Sequence, residues 1–206
     1  ADDPVGGNDG TCQGGLTMGG ATGPLADSAD VAPSFDASND YITTALQPFV
    51  NGAVQSFEAW IYRDDASAND AIFGGSAASA PFLYLNTTSL LRVLIDGATD
   101  RSLGVTVSLA TWHHIVLIAD LSADTLQAWV DTTPTSQITA VTEAYTGTQL
   151  FQIGARTGAT NPFDGRIAHV AVYARALTIS EIKSHYDRGL ATIVKPAYIH
   201  QAGGIQ

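Results

Sequence analysis

The chain is cut into short apolar runs, mostly of strand length, by turn-forming clusters that recur along most of its 206 residues. VAPSFD and DYITTAL flank the turn Ala37-Ser38-Asn39. VQSFEAWIYR is closed by DDASAND. AIFGG, PFLYLN and LLRVLID follow, the last stopped by Asp96-Gly97. WHHIVLIADL and LQAWVD are joined by the turn SADT, and QLFQIGA and FDGRIAHVAVYARAL come last. Runs of this length between Asp, Asn and Gly clusters are strands, and this rhythm belongs to a sandwich or barrel. No strand–helix alternation points to a parallel α/β sheet.

Two runs expose their environment. In VQSFEAWIYR, strand periodicity sends Phe57, Ala59 and Ile61 to one face and Glu58, Trp60 and Tyr62 to the other. WHHIVLIADL is apolar on both parities, as expected of a central strand covered on both sides. The tryptophans Trp60, Trp112 and Trp129 are expected in the core, since large aromatics dominate cores.

Helix signals are confined to one place. Thr178-Ile179-Ser180-Glu181 is a capping box, and Ile179, Ile182 and Tyr186 share one face at helical spacing. Arg188 stands in the last turn, and Gly189 is placed to end the helix left-handed. The expected architecture is therefore all-β, an antiparallel two-sheet sandwich with one short C-terminal helix. Residues 1–30, dense in glycine, read as a flexible arm leading into a first strand near Leu16–Met18. Residues 31–190 read as the sandwich and 191–206 as an attachment arm.

Composition narrows the partners. The formal charge is −11, and residues 1–70 carry eleven of the twenty acids against a single base, Arg63. Such a chain repels phosphate backbones and anionic membrane surfaces. Seventeen of the acids are Asp and three Glu, which fits a loop-rich β protein. Cys12 is the only cysteine, so no intrachain disulfide forms. No apolar run reaches the eighteen residues of a membrane span. The missing initiator Met points to processing or to excision from a longer polypeptide.

The motif order FDASNDYI, SFEAWIYR, TWHHIVLIADLSADTLQAWVD, FQIGA and FDGRIAHVAVYARALTISEI resembles the laminin-G-like, concanavalin A-like jelly rolls of bacterial and phage surface proteins. The likeness runs from about Val31 to Gly189. Its most specific part is Phe163, Asp164, Gly165, Tyr173, Ala176, Leu177, Ser180 and Glu181, with Trp112-His113-His114 as the family's tryptophan–histidine pair. The resemblance implies a non-catalytic domain that recognises a glycan or host surface, or that attaches to neighbouring subunits. GPLADSADVAPSFDASNDYI looks like the opening of phage tail domains, which implies a virion decoration or tail protein. The alternatives are a secreted carbohydrate-binding module and, more distantly, a glycoside hydrolase. An extracellular or virion-surface location goes with each.

Each chemistry makes a demand on the residues. Glycosidases need two carboxylates close together, whereas Glu58, Glu143 and Glu181 are scattered and Glu58 has no acid beside it on its own face. G-x-S-x-G is absent, and a serine triad would need spatial evidence. His113 and His114 point to opposite faces, so they do not chelate one metal; one is expected inside with its nitrogens bonded, the other on the surface. Calcium needs six to eight oxygens, for which Asp36, Asn39, Asp40 and Asp164 are the candidates. The family often places an acid pair where this chain has Ala168 and His169, which removes a ligand that relatives use. For a glycan, aromatic surface with hydrogen-bonders is needed, and Tyr84, Tyr145, Arg156, Asn161 and Phe163, on or near loops, are the candidates.

Overall fold

A computed structural model describes residues 9–25, 30–77, 81–96, 98–145 and 149–190. The expected C-terminal arm, 191–206, lies outside the described residues.

Two seven-stranded antiparallel sheets face each other. The first contains, in spatial order, β1 (Thr11–Gln13), β4 (Tyr41–Thr43), β13 (Phe151–Ile153), β6 (Asp70–Gly75), β7 (Phe82–Leu85), β8 (Leu90–Leu94) and β9 (Asp100–Thr106). The second contains β12 (Thr133–Pro134), β11 (Thr125–Val130), β10 (Trp112–Asp120), β5 (Val54–Arg63), β14 (Asp164–Tyr173), β3 (Val31–Asp36) and β2 (Thr17–Thr22). One helix, α1 (Ile179–Leu190), follows β14. The expected jelly-roll sandwich with a single C-terminal helix is the observed fold.

Of the expected N-terminal arm, residues 1–8 and 26–29 lie outside the described residues, and residues 11–22 are paired backbone rather than a free arm. β1 pairs with β4 and β2 with β3, so each sheet takes an edge strand from residues 11–22. Cys12, paired opposite Ile42, is half-buried against the core. Backbone pairing, which composition does not report, is what pins this segment.

The core lies between the sheets. Phe57, Ala59 and Ile61 point into it from β5, as the alternation requires, and meet Phe73, Leu83, Ile115, Leu117 and Phe151. Phe57 stacks on Phe73 with ring centroids 5.2 Å apart, and Phe49, Tyr145 and Phe151 close the same aromatic group. Each such ring removed from water stabilises the fold by roughly 1.5–3 kcal/mol.

A second apolar layer lies on the outer face of the second sheet, beneath α1. Val116, Trp129, Leu177 and Ile182 form one cluster, and Trp60, Ala32 and Ala168 another, with Tyr186 and Trp112 against it. Covering on both faces explains why β10 is apolar on both parities. Two of the three tryptophans are core residues, as expected, but in this outer layer. Trp60 and Trp129 are buried under the helix rather than between the sheets, and Trp112 is only partly buried.

The capping box forms as expected: the Glu181 amide donates to Thr178 Oγ1 at 3.2 Å, and the Thr178 amide donates to Glu181 Oε2 at 2.8 Å. Two helix details differ from expectation. Ile179 is exposed, so the docking face is Ile182, Tyr186 and Gly189. Gly189 is inside the helix rather than beyond its end. A Cβ there would fall 2.1 Å from the Trp60 ring, so glycine is required for close approach. Ser56 tethers the link between β14 and α1: its Oγ donates to the Arg175 carbonyl at 2.8 Å and accepts from the Leu177 amide at 3.0 Å.

Candidate functional site

Beneath α1 the sheet carries a buried polar network. Glu58 points outward from the middle of β5. Its Oε1 lies 2.6 Å from His114 Nε2 and 2.9 Å from His185 Nδ1, and Tyr173 Oη donates to its Oε2 at 2.8 Å. Burial pushes the carboxyl upward, but the hydrogen bonds from His114 and Tyr173 and the charges of His114 and His185 outweigh it. Glu58 therefore stays below the ordinary glutamate range. His114 is fully buried, as expected of one of the pair, although its Nδ1 has no partner among the described residues. Glu143 pairs with Arg101, and Glu181 with Arg175. All three glutamates are thus committed to structural partners and form no glycosidase dyad.

The outer face of the first sheet has different chemistry. Phe82 and Tyr84, two apart on β7, share this face with rings stacked at 4.5 Å. Tyr84 is opposite Ala71 on β6 and Arg92 on β8. Arg92 Nε donates to both oxygens of Asp100 on β9, at 2.9 and 2.8 Å. Tyr84 is raised above the usual tyrosine range, first by burial and then by its hydrogen bond with Asp100.

The loop between β13 and β14 folds over this face. The Arg156 amide donates to the Thr160 carbonyl at 2.8 Å, and the Thr160 amide returns the bond at 2.9 Å. The Thr157 amide donates to Gly75, and the Ala71 amide donates to the Asn161 carbonyl, which pins the loop to β6. Thr157, Gly158 and Asn161 all have left-handed φ, the backbone needed for so tight a fold. The Arg156 guanidinium consequently lies 4.4 Å from the centre of the Phe82 ring. Gly74 makes room: a Cβ there would come within 2.9 Å of Phe82 and 3.4 Å of the Arg156 side chain.

Three of the five residues expected to meet a ligand, Tyr84, Arg156 and Asn161, therefore converge on one sheet face. The other two do not. Tyr145 and Phe163 are 3% and 0% exposed, packed on Phe49 and Phe35, so burial corrects their expected contact with a surface ligand. Both lie beside loops, but adjacency to a loop does not expose a side chain that the sheets enclose. Sequence reasoning also missed Phe82, Arg92 and Asp100. The i, i+2 alternation in PFLYLN is the signal that would have paired Phe82 with Tyr84. Because Phe82 and Tyr84 are themselves nearly buried, the groups open to a ligand are the polar rim of Arg92, Asp100, Arg156 and Asn161. A shallow depression on the outward side of α1, lined by Ser180, Lys183, Ser184, Asp187 and Arg188, has no aromatic group and no buried polar group to orient a ligand.

The acidic corner also assembles in part. Asp164 is in register with Asp36 across β14 and β3. Asp40 is buried, its Oδ1 has no partner among the described residues, and burial followed by the charge of Asp36 raises it above the ordinary aspartate range. Asp164 is raised by burial and then by the charges of Asp64 and Asp65, from the loop that follows β5. Asn39 lies exposed in the turn. Among the described residues no three His, Cys, Asp or Glu side chains are arranged to hold a metal ion. A cation fits the orphaned Asp40 Oδ1 beside Asp36 only if backbone carbonyls and water complete the shell. Ala168 is buried against Trp60 and Ala32, an apolar position.

This two-sheet architecture, with one helix on its back and a polar rim on its front, is that of a lectin-type jelly roll. Residues 36–183 match the family model described as the concanavalin A-like lectin/glucanases superfamily, and the chain belongs to that family. No curated protein sequence matches the chain. Among solved structures it is similar to domain 4 of AbnA, a GH43 extracellular arabinanase from Geobacillus stearothermophilus, in complex with arabinotriose. Identity is 16%, coverage 88% of this chain and 90% of that one, and the TM-score 0.68. It is also similar to the CBM40 of the Ruminococcus gnavus IT-sialidase bound to α2,3-sialyllactose, at 13% identity, coverage of 66% and 83%, and TM-score 0.58. A native heptameric SAP-like pentraxin from Limulus polyphemus matches at 11% identity, coverage of 74% and 80%, and TM-score 0.58. These likenesses establish the fold. Among the described residues no helix is long and apolar enough to cross a membrane.

Proposed function

We propose that the protein is a carbohydrate-recognition domain that holds a surface glycan across the outer face of the first sheet. The observation that carries this is the convergence of β7, β8, β9 and the 154–162 loop on one face, where Arg92, Asp100 and Arg156 surround a stacked aromatic pair and the Asn161 backbone is bonded to Ala71 beside it. Guanidinium and carboxylate groups held by a rigid sheet suit the hydroxyl pairs of a sugar. The glycan-bound neighbours, one with arabinotriose and one with sialyllactose, support the reading. Among the described residues no pair of glutamates flanks the face, which favours binding over cleavage of the glycosidic bond. The domain works outside the cell, in a secreted protein or on a virion surface. A glycan array followed by titration of the best hit against wild type and Arg156→Ala tests this; equal binding by the two would remove the site.

A second reading, attachment to neighbouring subunits of a larger assembly such as a virion, draws on one observation. Met18 and Val31, on the outermost two strands of the second sheet, are 50% and 54% exposed. Apolar side chains at a sheet edge suit strand addition by a partner. Light scattering over a concentration series tests it; a monomer throughout would count against self-association.

The acidic corner is proposed to take Ca²⁺ through Asp36 and Asp40, with Asn39 and Asp164 at its margin, on the strength of the orphaned Asp40 Oδ1.

A further inference from the structure

Away from both faces, three residues from separate segments form a continuous hydrogen-bonded chain. His113 Nε2 lies 2.7 Å from Ser108 Oγ, and His113 Nδ1 lies 3.0 Å from Asp131 Oδ2. Ser108 is on the exposed loop between β9 and β10, His113 is the second residue of β10, and Asp131 directly follows β11. The backbone aims the acid. The His114 amide donates to Asp131 Oδ1 at 3.0 Å, and the Asp131 amide donates to the His114 carbonyl at 2.7 Å. Asp131 is held at φ 58°, and Ala110, two residues after Ser108, at φ 57°. Left-handed non-glycine residues cost free energy and cluster where geometry is over-determined. Burial pushes Asp131 upward, but the bonds from His113 and the His114 amide leave it below the ordinary range, so it is ionised beside the ring.

A hydroxyl within reach of an imidazole, which is itself oriented by a partly exposed carboxylate, is the arrangement that activates serine. We propose that Ser108, His113 and Asp131 form a nucleophilic site for short-chain acyl esters. Ser108 Oγ attacks the ester carbonyl carbon, and its proton passes to His113 Nε2. The tetrahedral adduct collapses, the acyl–alkoxy bond breaks, and the departing alkoxide takes the proton from Nε2. Water then attacks the acyl-serine, giving its proton to Nε2; Ser108 recovers that proton and the carboxylic acid is released. Asp131 keeps the proton on Nδ1 throughout. The Leu109 amide, next in the chain after the nucleophile and in no backbone pairing among the described residues, is the donor available to the oxyanion. Ser108 is exposed, so an ester on an accessible surface can reach it, and a short acyl group needs no pocket to be held. This chemistry departs from the expectation of a chain without catalysis, and it stands independently of the glycan reading because it uses none of the same residues.

The test is labelling of the intact protein with a fluorophosphonate, with the modified peptide identified by mass spectrometry, together with hydrolysis of p-nitrophenyl acetate. Ser108 is expected to carry the label. Ser108→Ala should abolish both signals, and His113→Gln and Asp131→Asn should slow each by about a hundredfold, the usual range for a lost general base. Circular dichroism and urea midpoints of the variants separate loss of chemistry from loss of fold. An unlabelled Ser108 in the folded wild type, or hydrolysis unchanged in folded His113→Gln, overturns the proposal. Glycan binding is read separately and is unaffected by either result.

Discussion

His114 Nε2 lies 2.6 Å from Glu58 Oε1 beneath α1, and both side chains are buried. With Tyr173 and His185 on the same carboxylate, Glu58 joins β5, β10, β14 and the helix through one group. Removing one member of a buried charged network leaves the others unpaired, which costs more than the bond itself.

Glu58→Ala is therefore expected to destabilise the fold by about 3 kcal/mol, within the range for breaking a buried pair. Urea unfolding followed by tryptophan fluorescence measures this, since Trp60 and Trp129 report on the helix-covered face.

The same group sets a pH dependence. Glu58 is held below its ordinary value of 4.5 in the folded state. A carboxyl depressed on folding stabilises fully above its unfolded value, and that stability is lost as pH falls through the folded value. Stability should thus decline below about pH 4.5 in wild type, and Glu58→Gln should flatten that part of the profile.

Gly189 predicts a steric effect. Gly189→Ala places a methyl where the Trp60 ring lies, 2.1 Å away. Helix propensity favours alanine by about 1 kcal/mol, yet overpacking typically costs 1–3 kcal/mol, so we expect net destabilisation with a shifted Trp60 emission. A stabilised variant would show that the helix moves away at no cost.

Calcium is tested by melting. If the Asp36–Asp40 corner takes the ion, millimolar Ca²⁺ should raise the melting temperature and EDTA should reverse it. Asp36→Asn with Asp40→Asn should remove the response, because ligand binding stabilises only the state that binds it. No shift on either addition removes the ion from the corner.

Strand order along the chain, the β10–β11 hairpin, the face alternation of β5 and the helix cap were all legible in local pattern. Each depends on residues close in sequence. What escaped the pattern depends on contacts between distant segments. Ile179 and Ile182 look equivalent by helical spacing, but only Ile182 meets Val116 and Trp129. Tyr145 and Tyr84 both flank turns, yet Tyr145 is drawn between the sheets by Phe49 while Tyr84 stacks on Phe82 at the outer face. Gly189 resembled a helix stop because the ring it accommodates is contributed by a strand some 130 residues earlier. The proposed glycan face is half legible: residue type points to Tyr84, Arg156 and Asn161, whereas Arg92 and Asp100 join it only through strand pairing.

Glycan recognition is proposed at the outer face of the first sheet. The most direct measurement is calorimetric titration of a glycan identified by array against wild type, Arg92→Ala and Arg156→Ala. We predict saturable binding by wild type and at least a tenfold loss in each variant, about 1.4 kcal/mol, with unchanged melting temperature. Binding that survives both substitutions, or no binding to any glycan by the folded protein, would contradict it.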